Sequence, residues 1–408
     1  MDMKQKKISV IGLGYIGLPT AALLACNGYK VVGMDVNSHA VDTINQGKIH
    51  IVEPDLDAFV RSAVSNGMLE AFLEPQEGDV YMICVPTPFH ETPRVPTPDI
   101  GYVINAAKSI SKYIKPNDLV ILESTSPVGT TEKIQSVFVN EGVDVQKVHV
   151  AYCPERVLPG KIMTELVEND RIVGGLTAEA TKEVADFYRT FVRGEVLETS
   201  AKTAEMCKLT ENSFRDVNIA FANELSLLCE NDGIDVWELI QLANRHPRVN
   251  ILQPGAGVGG HCIAVDPWFI VSRDEKNSKL IKTAREVNNF KTEWVIDKIK
   301  TAVANRNSQT GVKPKIICFG LAFKPDIDDL RESPALEIAE NLFDQGYEVV
   351  AVEPNIESHS KLKITSIYDV DWTHSVCAVL VKHKDFLSQD TKQMLIENDA
   401  YDFCGALN

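Results

Sequence analysis

No two cysteines of this sequence form a Cys-x-x-Cys pair, and none clusters with histidine at zinc-binding spacing. The nine cysteines (Cys26, Cys84, Cys153, Cys207, Cys229, Cys262, Cys318, Cys377 and Cys404) are an odd set scattered through apolar stretches. That excludes a disulfide-stapled miniprotein and points to a reducing compartment in which most are small core residues. Positive charge is also in deficit, 41 basic residues against 57 acidic for a net charge of -16. So acidic a chain repels phosphate backbones unless cations gather locally, so no nucleic-acid partner is expected. Long apolar runs are scarce. Ile8 to Tyr29 is uncharged and follows Lys4, Lys6 and Lys7 in the manner of a signal peptide. Gly12, Gly14, Gly17 and Pro19 interrupt it, however, and Lys30 leads straight into another strand pattern, so a cytoplasmic protein with no membrane partner is expected. What is present is 408 residues, 44% hydrophobic, enough for two to three globular domains of about 150 residues and too apolar for disorder.

Ile8-Ser9-Val10-Ile11 reads as a strand, Gly12-Leu13-Gly14-Tyr15-Ile16-Gly17 as a glycine turn, Leu18 to Asn27 as a helix stopped by Gly28, and Val31 to Asp35 as the next strand. Asp35 stands 23 positions after Gly12. Glycines permit a tight turn and let backbone N–H groups approach a pyrophosphate at the helix N-terminus, while the carboxylate accepts hydrogen bonds from a ribose diol. Asp35 would repel a 2'-phosphate, so NAD is favoured over NADP. Further strands at Val80 to Val85 and Leu119 to Glu123 run into loops carrying Thr87 and Thr125. In an open parallel sheet such loops border the ligand, although ordinary turn chemistry explains either threonine equally well from position alone.

Near residue 200 the alternation of strand and helix stops. Thr203 to Asn231 reads as one long helix, with Lys208, Asn212 and Arg215 on one face. Alone, such a stripe reads as a solvated face. A second helix is expected from Lys279 to Ala304, and Asn305 to Pro314 as a linker. A smaller α/β domain follows, with strands at Lys315 to Phe319, Tyr347 to Val352 and Ser375 to Val381 around a helix at Ser333 to Gln345. The expected fold is α/β, two Rossmann-like doubly wound domains joined by a central helical domain, divided 1–198, 199–304 and 305–408.

Between the two long helices, Asn244 to Asp266 holds four glycines within six residues, Gly255 to Gly260. So many glycines are entropically costly and fit a backbone that must come close to something. Cys262 is expected at a helix N-terminus with Asp266 one turn on, where exposed N–H groups and Lys208 favour a thiolate. His261 and His246 lack a third ligand of suitable spacing, so no catalytic metal is expected. A thiol beside a dinucleotide site suggests addition to an aldehyde, hydride loss to NAD, and a thioester opened by water.

These motifs are specific enough to place the chain. It resembles the UDP-glucose/GDP-mannose dehydrogenase family over essentially its whole length, through Gly12 to Gly17, Glu123 to Gly129, Tyr152 to Gly160, Ala204 to Glu224, Asn244 to Phe269 and Phe323 to Pro334. The resemblance implies a four-electron oxidation of a sugar C6 alcohol to a carboxylate, with two NAD and one water consumed. Cys262 would be the nucleophile, Lys208 and Asp266 would move protons and stabilise alkoxide charge, and Asn212 would be their polar partner. Glu155 would be the base for thioester hydrolysis, and Thr125 would position water and contact cofactor. NAD would be held by Gly12, Gly14, Tyr15, Ile16, Gly17, Asp35, Thr87, Thr125 and Arg331. The nucleotide sugar would meet Arg156, Val157, Lys208, Asn212, Arg215, His246, Arg248, Gly259, Phe323 and Lys324, with His246 or Arg248 reaching in from the second subunit of a homodimer.

The segment Asn244-Arg245-His246-Pro247-Arg248-Val249-Asn250 points within the family to a UDP-N-acetylhexosamine substrate, N-acetylmannosamine foremost, for a surface polysaccharide of the enterobacterial common antigen type. A two-electron β-hydroxyacid-type dehydrogenase and a nucleotide-sensing module are the competing readings. One departure stands out: close relatives finish with a strand and a basic residue that contacts the sugar nucleotide, whereas Asp402 to Asn408 here contains no cation.

Overall fold

The computed structural model describes residues 3–90, 95–260 and 262–408. The chain divides into two compact units, Met1–Thr210 and Glu211–Asn408. The first unit begins with β1 (Lys7–Ile11), α1 (Gly17–Cys26), β2 (Lys30–Met34), α2 (Ser38–Asn45), α3 (Leu56–Ser65), β3 (Leu69–Phe72) and β4 (Val80–Ile83). A short ribbon of β5 (Phe89–His90) and β6 (Thr97–Pro98) leads to α4 (Gly101–Ser111), β7 (Leu119–Leu122), α5 (Thr130–Asn140) and β8 (His149–Tyr152). Then come α6 (Ile162–Glu168), β9 (Arg171–Gly175), α7 (Ala178–Tyr188) and β10 (Val196–Ser200).

The eight strands order as β10-β9-β8-β7-β4-β1-β2-β3. Every neighbouring pair is parallel except β8 with β9. β4 (Val-Tyr-Met-Ile) and β7 (Leu-Val-Ile-Leu) are buried at every residue. Their unbroken apolar sequence follows from helices covering both faces of the sheet, which gives one core on each face. The uncharged run of the N-terminus is explained in the same way: Gly17 to Ala25 of α1 are all buried. Among the described residues no helix is long and apolar enough to cross a membrane.

Helix α8 (Ala201–Asp232) is continuous through the division at residue 210 and ends at Gly233, whose φ of 68° suits the left-handed stop. The second unit continues with α9 (Val236–Ala243), α10 (Asp266–Arg273), α11 (Lys279–Thr310), β11 (Lys315–Phe319), α12 (Pro334–Asp344) and β12 (Val349–Val352). β13 (Lys363–Thr365), β14 (Ser375–Val379), α13 (Gln389–Glu397) and β15 (Tyr401–Asp402) complete it. Its sheet is wholly parallel, in the order β13-β12-β11-β14-β15. Val295, Ile296 and Ile299 of α11 share one core with this sheet, so the expected central domain from Glu211 onward and the expected C-terminal domain lie in one compact unit.

The expected linker at 305–314 is a correction. α11 runs on to Thr310 and stops at Gly311, φ 71°, whose N–H bonds the Asn307 carbonyl at 2.8 Å. The segment is polar because its last turns are exposed, and nothing in it breaks a helix before the glycine.

Candidate active site

In the first unit the turn after β1 is closed by its own glycines. Gly12 has φ +93°, and a Cβ there would meet the Cys84 carbonyl oxygen at 2.7 Å; a Cβ on Gly17 would meet the Gly12 oxygen at 1.8 Å. A Cβ on Gly14 would meet nothing within 4 Å, so that backbone faces open space. Among the described residues no side chain caps α1, whose N-cap residue is Ile16, and Tyr15 is exposed. Asp35, just past β2, accepts the Leu13 N–H at 2.9 Å and the Asn37 N–H at 2.9 Å, which fixes its carboxylate beside the turn. An uncapped helix N-terminus, an open glycine and a positioned carboxylate are the parts a dinucleotide requires, so the residues fit NAD.

At the same end of the sheet, Thr87 Oγ1 donates to the Thr125 carbonyl at 2.6 Å, and Ser124 Oγ donates to the Val85 carbonyl at 2.7 Å. The loops after β4 and β7 are thereby tied together, which unites two of the expected site threonines. Glu205 of α8 supports the same loop from behind: buried, it accepts the N–H groups of Gly129 and Thr131 and the Thr131 hydroxyl at 2.6 to 2.8 Å, capping α5.

Glu155 is buried and forms an ion pair with the equally buried Arg171, Nη1 to Oε2 2.7 Å, while its Oε1 accepts the Arg156 N–H. The reversal between β8 and β9 causes this. The pairing Ala151–Gly175 and Tyr152–Gly174, carried three residues beyond β8, sets Glu155 opposite Arg171. Arg156 donates to the Asp170 carbonyl at 3.1 Å, and Val157 packs on the unit's core.

Sequence reasoning missed the neighbouring Glu123. Its carboxyl accepts from the buried Tyr188 hydroxyl at 2.5 Å and from the Cys84 thiol at 3.2 Å. Burial first, and then the charge of Glu155, pushes it up to about 7, while Arg171 and Tyr188 pull it down. The only signal for it in sequence was an acidic residue closing a wholly apolar strand. Because this acid titrates higher when folded, its contribution to stability is complete below about 4.5 and declines as pH rises through about 7, by roughly 2–4 kcal/mol. The melting-temperature difference between Glu123→Gln and the native chain should therefore rise in the variant's favour across that window, followed by calorimetry in steps of pH. A constant difference would show that Glu123 does not titrate there.

The expected catalytic residues divide between the units: Thr125, Glu155 and Lys208 belong to the first, Asn212, Cys262 and Asp266 to the second. Lys208, Asn212 and Arg215 all lie on α8. In the second unit Asn212 Nδ2 donates to Oδ2 of the buried Asp266. Cys262 is exposed and its carbonyl accepts the Asp266 N–H at 2.8 Å. Its expected place at a helix N-terminus needs correcting: α10 starts at Asp266, and Cys262 occupies the turn before it. Pro267 in the first turn sets the start of the helix one turn late and gives that N-terminus to Asp266. His261 lies outside the described residues. Among the described residues no group of His, Cys, Asp and Glu is placed to hold a metal ion.

What the glycine run approaches is protein. A Cβ on Gly259 would meet the Glu332 carbonyl oxygen at 2.2 Å, and one on Gly260 the Phe323 ring at 2.7 Å. Phe323 thus packs on the loop that leads to Cys262, and Lys324 beside it is half-buried. Arg331 forks the Asp329 carboxylate, with Nη2 to Oδ2 at 2.6 Å. His246 and Arg248 lie in an exposed segment, where His246 Nδ1 accepts the Arg248 N–H. Near the cation-free C-terminus, Lys382 Nζ donates to the Gly405 carbonyl at 2.6 Å, and Asp402 accepts the N–H groups of residues 404 to 407. Burial pushes Cys153 and Cys318 up to about 12 and raises Cys26, Cys84, Cys377 and Cys404, so six of the nine thiols are poor nucleophiles.

Three family models match the chain in succession. They are the NAD binding domain of the UDP-glucose/GDP-mannose dehydrogenase family at residues 6–192, its central domain at 202–290 and its UDP binding domain at 317–407. UDP-N-acetyl-D-mannosamine dehydrogenase of Escherichia coli K12 is 55% identical over 402 residues, 93% of this chain and 94% of that protein. NDP-N-acetyl-D-galactosaminuronic acid dehydrogenase of Ralstonia nicotianae is 51% identical over 411 residues, 97% of this chain and 95% of that one. Among solved structures, UDP-N-acetyl-mannosamine dehydrogenase of Staphylococcus aureus superposes with a TM-score of 0.87 at 40% identity, covering 98% of this chain and 96% of its own.

Proposed function

The chain belongs to the UDP-glucose/GDP-mannose dehydrogenase family, and from that premise we propose that it oxidises the C6 alcohol of UDP-N-acetyl-D-mannosamine to the uronate in two NAD-dependent steps. The carrying observation is the exposed Cys262 one turn before a buried Asp266 that Asn212 holds in place. NAD, when bound, accepts the hydride of each oxidation. Lys208 and Asp266 take the proton of the C6 hydroxyl as the first hydride leaves, giving an aldehyde. The Cys262 thiol adds to that carbonyl and its proton passes to the new oxygen; the second hydride then leaves the carbon as that hydroxyl gives its proton back to the Lys208 and Asp266 pair, which leaves a thioester. Water activated by Glu155, which Arg171 keeps oriented, opens the thioester, so one water enters and the thiol is regenerated. Thr125 positions that water.

The expected sugar-nucleotide contacts, from Arg156 and Val157 through Lys208, Asn212 and Arg215 to Gly259, Phe323 and Lys324, are proposed as its pocket. The three-domain division is proposed to follow the three family segments. Phe214, Phe221 and Leu228 recur every seven residues on α8 and are all exposed, which supports a homodimer formed through this helix, with His246 or Arg248 crossing to the partner site. A cytoplasmic location is supported by cysteines that form no disulfide. A role in surface polysaccharide synthesis follows from the product proposed.

Counting NADH per sugar tests the reading. Two equivalents are expected from UDP-N-acetylmannosamine, with UDP-N-acetylglucosamine, UDP-N-acetylgalactosamine and UDP-glucose as rivals. One equivalent would replace the four-electron reaction with a simple alcohol dehydrogenase. A faster rival would reassign the sugar.

A further inference from the structure

The second unit repeats the dinucleotide turn of the first. Gly320, φ +91°, follows β11 as Gly12, φ +93°, follows β1. The Gly320 N–H bonds the Val352 carbonyl at 2.9 Å, as the Gly12 N–H bonds the Met34 carbonyl at 2.8 Å. Glu353, just past β12, accepts the Leu321 N–H at 2.7 Å, as Asp35 accepts that of Leu13. The two carboxylates differ in what else they meet. Both accept the N–H two residues on, Asn37 at 2.9 Å and Asn355 at 3.0 Å, but Glu353 also accepts the Ala322 N–H at 3.1 Å, and its Oε2 lies 3.1 Å from Nε2 of His383. In place of a ribose diol, the second carboxylate has a histidine.

His383 is fully buried, between Glu353, the Asn355 amide and the edge of the Phe386 ring. Its Nδ1 lies 3.0 Å from the Asp326 backbone N–H. A backbone N–H can only donate, so Nδ1 is the acceptor and the ring proton sits on Nε2, directed at Glu353. Asp326 needs this grip. Its φ is +63°, a conformation that costs a non-glycine residue on the order of 1 kcal/mol and persists only when its surroundings impose it. The Lys384 N–H completes the hold by donating to Asp326 Oδ1 at 2.9 Å. Two residues earlier in the same loop stands Lys324, and before it Phe323, whose ring packs on Gly260.

We propose that His383 is a positioning residue for the sugar nucleotide: through the Asp326 N–H it fixes the loop that presents Phe323 and Lys324. This rests on the substrate reading above. Two substitutions separate its two ring nitrogens, Nδ1 facing the Asp326 N–H and the Asn355 amide nitrogen at 3.1 Å, and Nε2 facing Glu353. His383→Asn places an amide oxygen where Nδ1 was and keeps the acceptor for Asp326, whereas His383→Gln keeps a donor for Glu353 and gives up that acceptor.

Steady-state kinetics should show KM for the UDP-sugar raised about tenfold or more in His383→Gln, the equivalent of one lost hydrogen bond, with kcat within about threefold. His383→Asn should stay within about threefold of the native KM. The proposal is overturned if the Gln variant keeps the native KM, including the case in which kcat alone falls with the folded fraction, or if the Asn variant is the worse of the two. Should neither variant fold, hydrogen exchange on the native chain decides. The Asp326 amide must be protected at least about a hundredfold relative to an open amide, and unprotected exchange would overturn the clamp. A native enzyme that makes no NADH from any UDP-sugar would count against the substrate reading instead, a result distinct from these.

Discussion

Cys262→Ala is expected to abolish release of the uronate, lowering overall turnover on the order of 10⁴-fold or more, because loss of a covalent nucleophile removes the path and not merely one contact. The site geometry makes the expectation specific. Asn212 and Asp266 are expected to stay paired in the variant, since the substitution keeps the residue 262 carbonyl that accepts the Asp266 N–H. The first oxidation therefore keeps its residues, and the variant should yield at most one NADH per sugar, with an aldehyde recoverable by hydrazine trapping. In the native enzyme, acid quench and mass spectrometry should find the sugar nucleotide bound to the peptide holding Cys262. Uronate formed by the variant at the native rate would end the covalent mechanism.

The largest expected effect on stability lies elsewhere in the second unit. Asp216 of α8 and Arg285 of α11 are both buried, Oδ1 to Nη1 2.6 Å, and Asn288 donates to the same oxygen at 2.8 Å. Burial raises the Asp216 carboxyl despite the arginine beside it. Asn288 in turn accepts from Asn223, whose own oxygen takes the Gly255 N–H, so this seam reaches the loop that ends at Cys262. Asp216→Ala would leave a guanidinium buried without its counter-charge, which costs about 3–5 kcal/mol and about 10 °C in melting temperature for a unit of this size. Among the described residues, Oδ2 of Asp216 and Nε of Arg285 have no hydrogen-bond partner, so the pair is imperfectly satisfied. The double variant Asp216→Leu with Arg285→Met should therefore recover at least half of the loss, by thermal unfolding. A double variant as unstable as the single would show that the seam acts through its shape and not its charge.

These features were unevenly legible. The strand, glycine turn, helix and acidic residue between Ile8 and Asp35 announce themselves because every requirement there is local. α8 is legible too, for it contains no breaker before Gly233. The end of α11 was missed because exposed polar residues look alike in a helix and in a linker. The turn at Cys262 was misplaced because Pro267 starts a helix as readily as the cysteine would precede one. Glu155–Arg171, Glu123–Tyr188 and Glu353–His383 could not be read at all. Register brings Glu155 to Arg171, and the packing of a helix and a loop on the sheets brings Tyr188 to Glu123 and His383 to Glu353; none of these is a property of a short stretch of sequence.

The reversed pairing of β8 with β9 makes length, and not only composition, a constraint. Glu155 and Arg171 meet because they lie the same number of residues beyond and before a shared register. One residue inserted between Tyr152 and Glu155, or between Arg171 and Gly174, would turn one of the two side chains to the opposite face of the sheet. A chain in which this stretch has gained or lost a single residue would have to change both charges together, so insertions and deletions should be rarer here than substitutions.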